Sequence, residues 1–184
     1  MRDTYCSHCG AAYAPPLSYP RACPKCGVEV WANPIPVGVV LLPVRASGGR
    51  ERTGLLVIRR GIEPAIGKLA LVGGFLEEHE TWAEGAAREL REETNVIVDP
   101  KSLEPFWFTS TAPRPNRVLL FASAPPTDTA SLGAFAPDHE VTERGLVFGP
   151  DGLESVFAFP LHVEAARRFF AARDITGPHA YEVA

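Results

Sequence analysis

Residues Gly74–Val96 read GFLEEHETWAEGAARELREETNV, and this stretch decides how the rest of the chain is understood. Thr81-Trp82-Ala83-Glu84 has the form of a capping box, in which a threonine and a glutamate three positions on satisfy each other's free amides. A helix is therefore expected over 81–94. Ala83, Ala86, Ala87 and Leu90 recur at helical spacing and give it an apolar face. A second face is acidic, with Glu89 and Glu93 one turn apart and Glu92 beside them. Like charges repel, and Glu92 and Glu93 fall in the last turn, where the helix dipole favours a cation instead. Stability alone does not select these residues. At this point two explanations stand: a solvated acidic face moderated by Arg88 and Arg91, or a face that holds a cation.

Working outward, Val37–Leu42 reads as a buried strand, residues 46–53 as a polar loop and Leu55–Ile58 as a second strand, together a hairpin. A short apolar stretch over 68–76 contains Gly73-Gly74 ahead of the acidic helix. Further strands are expected at Asn95–Val98, Phe106–Thr111, Arg117–Ala124 and Gly145–Phe148. A closing amphipathic helix is expected over 161–173, where Val163, Ala166, Phe169 and Phe170 share a face. No repeat recurs at a fixed period. Strands mixed with two helices point to a layered α/β domain.

Upstream, residues 1–33 are rich in Cys, Pro, Gly and aromatics and carry no helical periodicity, so something other than an apolar core must hold them. Asn33-Pro34-Ile35-Pro36 reads as a boundary, because each proline pushes its predecessor toward extended geometry. The expected division is 1–33 and 34–184. Cys6-Ser7-His8-Cys9 and Cys23-Pro24-Lys25-Cys26 are two CxxC pairs, each followed by glycine, Gly10 and Gly27. Two such tight turns gather four thiolates into a tetrahedral shell, so Cys6, Cys9, Cys23 and Cys26 are expected to bind structural zinc, with His8 a bystander. A redox-active CxxC would need a helix opening at the pair, and Pro15, Pro16 and Pro20 crowd this region. With four protein ligands the zinc would be closed to substrate. Any chemistry must come from elsewhere.

The 184 residues carry 46% hydrophobic and 22% charged residues, enough for a sizeable core, and a net charge of −4 argues against a non-specific polyanion binder. No run approaches the ~18 apolar residues of a membrane span, and the first twenty residues are not a signal-peptide run. The expected location is cytoplasmic. In that compartment four cysteines favour metal over disulfides.

Gly74, Glu80 and the run Arg88-Glu89-Leu90-Arg91-Glu92-Glu93-Thr94-Asn95-Val96 resemble the Nudix box, G-x5-E-x7-R-E-U-x-E-E-x-G-U, at every place but Asn95, where the family has glycine. Asparagine tolerates the left-handed conformation that caps a helix, so the departure is mild. Val72 departs from the proline that many members carry before the two glycines. The resemblance implies an α/β/α sandwich with a mixed sheet over roughly 37–184, preceded by the small zinc ribbon. It implies that Glu89 and Glu93 hold divalent cations, that Glu92 is a third ligand or orienting group, and that Gly73 lends its carbonyl oxygen. Gly74, Glu80 and Arg88 would be structural. Hard oxygen donors favour magnesium or manganese.

The implied activity is metal-dependent hydrolysis of a phosphoanhydride in a nucleotide-derived small molecule. Glu140 and Glu143, read as loop residues, are further catalytic candidates, one of them as base. Arg60, Arg114 and Arg117 are candidate phosphate contacts, and Phe106, Trp107 or Phe108 could stack on a base, although aromatics in a strand are more often core. A ribbon ahead of a Nudix domain is similar to the NADH pyrophosphatases, but their S-Q-P-W-P-F-P run is absent. Phe108–Val118 is closer to the ribbon-bearing members associated with FAD and ADP-ribose. The competing readings are a nucleoside triphosphate pyrophosphohydrolase, a catalytically silent nucleotide sensor, and a nucleic-acid-binding ribbon. The last has few basic residues to offer, Arg2, Arg21 and Lys25. No membrane partner is expected, and homodimerisation is left open.

Overall fold

The computed structural model describes residues 4–46, 52–112 and 116–184. The chain divides into two compact units, residues 1–34 and 35–184.

The first unit is built from two turns of the same design. Tyr5 and Ala12 bridge around the first cysteine pair, and β1 (Arg21–Ala22) pairs antiparallel with β2 (Glu29–Val30) around the second. In both, the glycine amide returns to the carbonyl of the first cysteine, Gly10 to Cys6 and Gly27 to Cys23, each at 2.9 Å. Both glycines have positive φ, which closes the turn without a side-chain clash.

The second unit runs β3 (Ile35–Leu41), β4 (Pro43–Ala46), β5 (Arg52–Arg60), β6 (Leu69–Ala70), β7 (Val72–Phe75), α1 (Trp82–Thr94), β8 (Glu104–Ser110), β9 (Arg117–Ser123), β10 (Thr127–Asp128), β11 (Val141–Phe148), α2 (Pro160–Ala171) and β12 (Ala180–Val183). Two mixed sheets form. One has the order β10-β4-β5-β11-β12 with β6 also on β5, and the other has β7-β3-β9-β8. Parallel pairs occur in each, β4 with β10 and β3 with β9.

The long apolar runs of β3 and β5 are explained by burial on both faces. Val40, Leu42, Leu56 and Ile58 pack with Ala86, Ala87 and Leu90 of α1, while Val39, Leu41, Leu55 and Val57 pack with Phe169 and Phe170 of α2. Alternate residues of one strand thus serve opposite cores, as the two-residue period of a strand requires. The result is the expected α/β/α sandwich, except that its middle layer is two sheets. The chain changes sheet at Leu42-Pro43. Residues 43–46 pair with β5, whereas β3 lies between β7 and β9, so the expected hairpin is confined to β4 and β5.

Two other expectations are corrected. Asn95–Val98 is not a strand. Asn95 caps α1 in the left-handed conformation (φ 59°, ψ 17°), Val96 turns its amide to the Thr94 hydroxyl, and Asp99 caps a short 3-10 turn over Pro100–Ser102. The polar cap and turn outweigh the β-branched residues. The strand expected at Gly145–Phe148 begins at Val141, which moves Glu143 from a loop into β11. Arg114 lies outside the described residues. Among the described residues no helix is long and apolar enough to cross a membrane.

Candidate functional site

The capping box forms as read: the Glu84 amide donates to the Thr81 hydroxyl at 3.3 Å and the Thr81 amide donates to the Glu84 carboxylate at 2.8 Å. With its start fixed and its apolar face packed, α1 presents Glu89 and Glu93 to β7. Pairing with β3 sets Gly73 opposite Val39 and Gly74 opposite Gly38. A β-carbon on Gly73 would lie 2.2 Å from the Gly38 carbonyl oxygen, and one on Gly74 would lie 2.5 Å from the Glu89 carboxyl group. The two glycines therefore let strand and acidic helix approach where any side chain would intervene.

Arg88 organises the near end of the cluster. Its guanidinium donates to Glu80 at 3.0 and 2.8 Å, to Glu89 at 2.8 Å, to Glu92 at 3.0 Å and to the Phe75 carbonyl at 2.9 Å. That contact holds the Glu80 carboxyl at about 2, well below the usual carboxylate range. Glu80 also accepts the Glu77 amide at 2.8 Å, so loop and helix are tied into one unit.

Glu93 has no such counter-charge. Among the described residues it makes no ion pair, and it accepts one hydrogen bond, from the Gly73 amide at 2.9 Å. It keeps some contact with solvent, yet protein atoms surround most of its carboxyl group, and this burial pushes its pKa up to about 8 despite the Gly73 amide. The charge of Glu89 pushes the same way. Burial likewise raises Glu89, against the pull of Arg88. A pair of half-buried carboxylates one turn apart, of which only Glu89 has an ion-pair partner among the described residues, is a natural seat for a hard cation.

Two candidates from elsewhere in the chain come within electrostatic reach of Glu93: the positive charge of Arg60 lowers its pKa and Glu140 raises it. Arg60 donates to the carbonyls of Pro64, Ile62 and Glu63 at 2.8, 3.4 and 3.3 Å and lies 5.0 Å from the Phe159 ring. Glu143 is engaged differently. It accepts from Arg59 at 2.6 Å and from the Tyr181 hydroxyl at 3.0 Å, and these partners depress its pKa. Arg117 lies 5.6 Å from the ring of Phe75. Trp107 stacks on Phe121 at 5.1 Å and is covered by Arg168, so it belongs to the core, whereas Phe108 is 74% exposed.

The four cysteine sulfurs lie within 4.8 Å of one another, with Cys6 to Cys26 at 3.7 Å and Cys9 to Cys23 at 3.6 Å. Zinc–thiolate bonds of about 2.3 Å in a tetrahedron separate sulfurs by about 3.8 Å, so the donor set fits a zinc ion in type and spacing. The Cys9 amide, pointing back at the Cys6 sulfur, holds that thiol down at about 6, and the Cys26 amide depresses Cys23 in the same way.

Two buried polar residues escaped the sequence reading. His162 accepts the Leu71 amide on Nδ1 at 3.1 Å, and Arg144 is 3% exposed. A signal for Arg144 existed: Arg144, Leu146 and Phe148 alternate on one face of β11, so the charge falls on a core-facing position.

Comparison with known proteins gives a consistent picture. Residues 34–172 match the model of the NUDIX domain. The chain is similar to a NUDIX hydrolase from Nitrosomonas europaea, with 25% identity, TM-score 0.67, and 94% of this chain and 93% of that one covered. The NUDIX domain of Shewanella oneidensis NrtR, in a structure with ADP ribose, gives 18% identity and TM-score 0.60 over 78% of this chain and 89% of that one. A bifunctional NMN adenylyltransferase/ADP ribose pyrophosphatase from Francisella tularensis, in complex with AMP and a manganese ion, gives 18% and 0.56 over 77% and 42%. At such identity the last two report the fold alone. The family match spans most of the chain and takes in the whole loop–helix unit, so the chain belongs to the NUDIX family and is a hydrolase acting on phosphoanhydride bonds.

Proposed function

We propose that the protein is a magnesium- or manganese-dependent pyrophosphohydrolase that splits a nucleoside diphosphate-linked compound of the FAD, ADP-ribose or NADH type. In this reading residues 34–184 are the catalytic domain and residues 1–33 a zinc ribbon whose four cysteines staple the fold. The observation that carries it is the Glu93 carboxyl group, held against the Gly73 amide with Glu89 one turn away and, among the described residues, no ion-pair partner.

Glu89 and Glu93, with Glu92 and the Gly73 carbonyl, are the oxygen donors for the divalent cation. When bound, the cation neutralises charge on the anhydride oxygens and acidifies a water. Arg88, anchored by Glu80, keeps Glu89 and Glu92 from drifting apart before the cation binds. Glu140, whose charge is felt at Glu93, is the favoured base, because Glu143 is committed to Arg59 and Tyr181. The base takes a proton from water, the water oxygen bonds to phosphorus, and the bridging P–O bond breaks to give two phosphorylated fragments. Arg60 and Arg117 are the described candidates for binding substrate phosphate. The ADP ribose and the AMP with manganese in the two complexes noted above support a nucleotide-derived substrate.

The test is a turnover screen of FAD, ADP-ribose and NADH against nucleoside triphosphates, with magnesium and with manganese. Preferential cleavage of the diphosphate-linked compounds is expected. Turnover of triphosphates alone would overturn the substrate assignment.

A further inference from the structure

Arg144 is the most enclosed charge in the second unit that no catalytic role absorbs. Its backbone belongs to β11, and its side chain crosses the core to reach three separate segments. Nη1 donates to the Thr94 carbonyl at 2.7 Å and to Leu132 at 3.0 Å, Nη2 donates to Gly133 at 2.9 Å, and Nε donates to Ala184 at 3.2 Å. Three of the four acceptors are carbonyls within the chain, and the fourth is an oxygen of Ala184, the last residue of the sequence. Among the described residues Arg144 makes no ion pair with an Asp or Glu side chain, and a guanidinium so enclosed is costly unless its N–H groups are satisfied in a fixed geometry.

The Thr94 carbonyl is the last of α1, one residue past Glu93, and it carries the negative end of the helix dipole. A second clamp acts on the same junction, since the Asn95 side chain donates to the Ala134 carbonyl at 3.0 Å. Thr94 itself is fully buried and bonds its hydroxyl to the Leu90 carbonyl at 2.5 Å. The end of α1 is thus fastened to residues 132–134, and that segment leads on to Glu140. One guanidinium fixes both the helix end bearing Glu93 and the start of the stretch bearing Glu140.

We infer that Arg144 is a positioning residue for the cation site: by clamping the Thr94 carbonyl and the 132–134 segment together, it sets the distance at which Glu93 and Glu140 face the divalent cation. The inference rests on the proposed role of the Glu89–Glu93 cluster. Arg144 touches neither cation nor substrate. Its effect is carried by the fixed helix end, as when partners behind the ligands of a metal site tune its affinity.

The experiment measures manganese binding by the whole protein, by paramagnetic resonance at a temperature well below melting, for the parent, Arg144→Met, Arg144→Lys and Arg173→Met. Arg173 is the control: its guanidinium also caps a helix end, donating to the Phe169 carbonyl at 3.1 Å and lying 3.9 Å over the Phe169 ring, but on α2. Arg144→Met should bind manganese about tenfold more weakly while retaining a cooperative melt. Arg144→Lys, which keeps the charge but cannot span four acceptors, should fall between it and the parent. Arg173→Met should be destabilised with its manganese affinity unchanged. Asn95→Ala, which loosens the same junction more gently, should weaken binding in the same direction and stands in if Arg144→Met does not fold. Parent-like affinity in Arg144→Lys and Asn95→Ala, or in a folded Arg144→Met, overturns the inference and leaves the cluster assignment intact. A parent that binds no manganese overturns both, which keeps the two failures apart.

Discussion

The two groups of metal-ligand candidates in this chain are built on opposite plans. In the first unit two short turns of the same geometry, set by Gly10 and Gly27, gather four sulfurs to within 4.8 Å, and among the described residues of the segment only Cys6 and Cys23 are buried. At the end of α1 the carboxylates are kept apart. Arg88 draws Glu89 and Glu92 toward Glu80, and Glu93 turns to the Gly73 amide. Among the described residues the cysteines are the only set of three or more ligand groups gathered so closely. A closed set of soft donors suits an ion that stays, and a spread set of hard donors suits one that arrives with substrate and leaves with product. The difference also separates the proposed roles: the first unit would depend on its ligands, while the second is already held by two apolar cores.

The strongest attempt to break this contrast is Glu93→Gln. The substitution keeps size and helix propensity and removes the charge. Turnover with magnesium should fall by several orders of magnitude, while the melting temperature without metal at neutral pH is retained, because burial already keeps the metal-free Glu93 largely protonated there. Near-parental turnover would mean that the acidic face is only solvated surface.

Cys23→Ser should produce the reverse pattern. One zinc per chain is expected by metal analysis of the parent, and loss of a ligand should loosen residues 1–34 first, seen as rapid amide exchange there. The chemical step of the second unit should change by no more than a few-fold. A parent free of zinc with four reactive thiols, or a variant whose turnover collapses while its first unit stays ordered, would erase the distinction.

A finer cut lies between two adjacent glycines. Gly73→Ala drives a β-carbon to 2.2 Å from a backbone oxygen that cannot move without breaking the β3–β7 pairing, so the fold should suffer by about 1–3 kcal/mol or more. Gly74→Ala meets the far end of a flexible glutamate at 2.5 Å, which can swing aside. It should cost little stability, yet turnover should fall about a hundredfold as Glu89 is displaced. Equal losses of stability in the two variants, by denaturant melts, would contradict the geometry.

These variants also mark how far the sequence could be read. The cysteine turns, the capping box and the acidic face were legible because each is local: the residues that make them lie within a few positions of one another. Strands β3 and β5 were legible as apolar runs, but which strand each would pair with was not, since the change of sheet at Pro43 depends on partners that arrive only with β9 and β11. The segment 95–98 misled because β-branched residues in a row carry strand propensity, and the deciding interactions were the left-handed Asn95 and the Thr94 hydroxyl. Glu140 and Glu143 looked alike in sequence. They parted because Tyr181, nearly forty residues later, returns on β12 to claim Glu143.

The smallest effect concerns a residue outside both groups. His162 lies in the core of the second unit, 6.1 Å from the ring of Phe121 and 5.0 Å from that of Phe159, and accepts the Leu71 amide through Nδ1, so its proton sits on Nε2. Burial, reinforced by the positive charge of Arg60, lowers its pKa from 6.5 to about 3. Between those values the unfolded chain carries a proton that the folded chain refuses. The stability contributed by a neutral His162 is therefore complete above pH 6.5 and lost as pH falls toward 3, with a slope of at most about 1.4 kcal/mol per pH unit. His162→Asn keeps an acceptor near the Leu71 amide and removes the titration. It should be less stable than the parent at pH 7, through lost packing on the two rings, and should close that gap as the buffer is taken to pH 5. Melts of chelator-treated protein across this range isolate the effect, because neither metal then contributes. Parallel pH profiles for parent and variant would show that acid sensitivity in the second unit arises elsewhere, and the contrast would narrow to the two ligand sets alone.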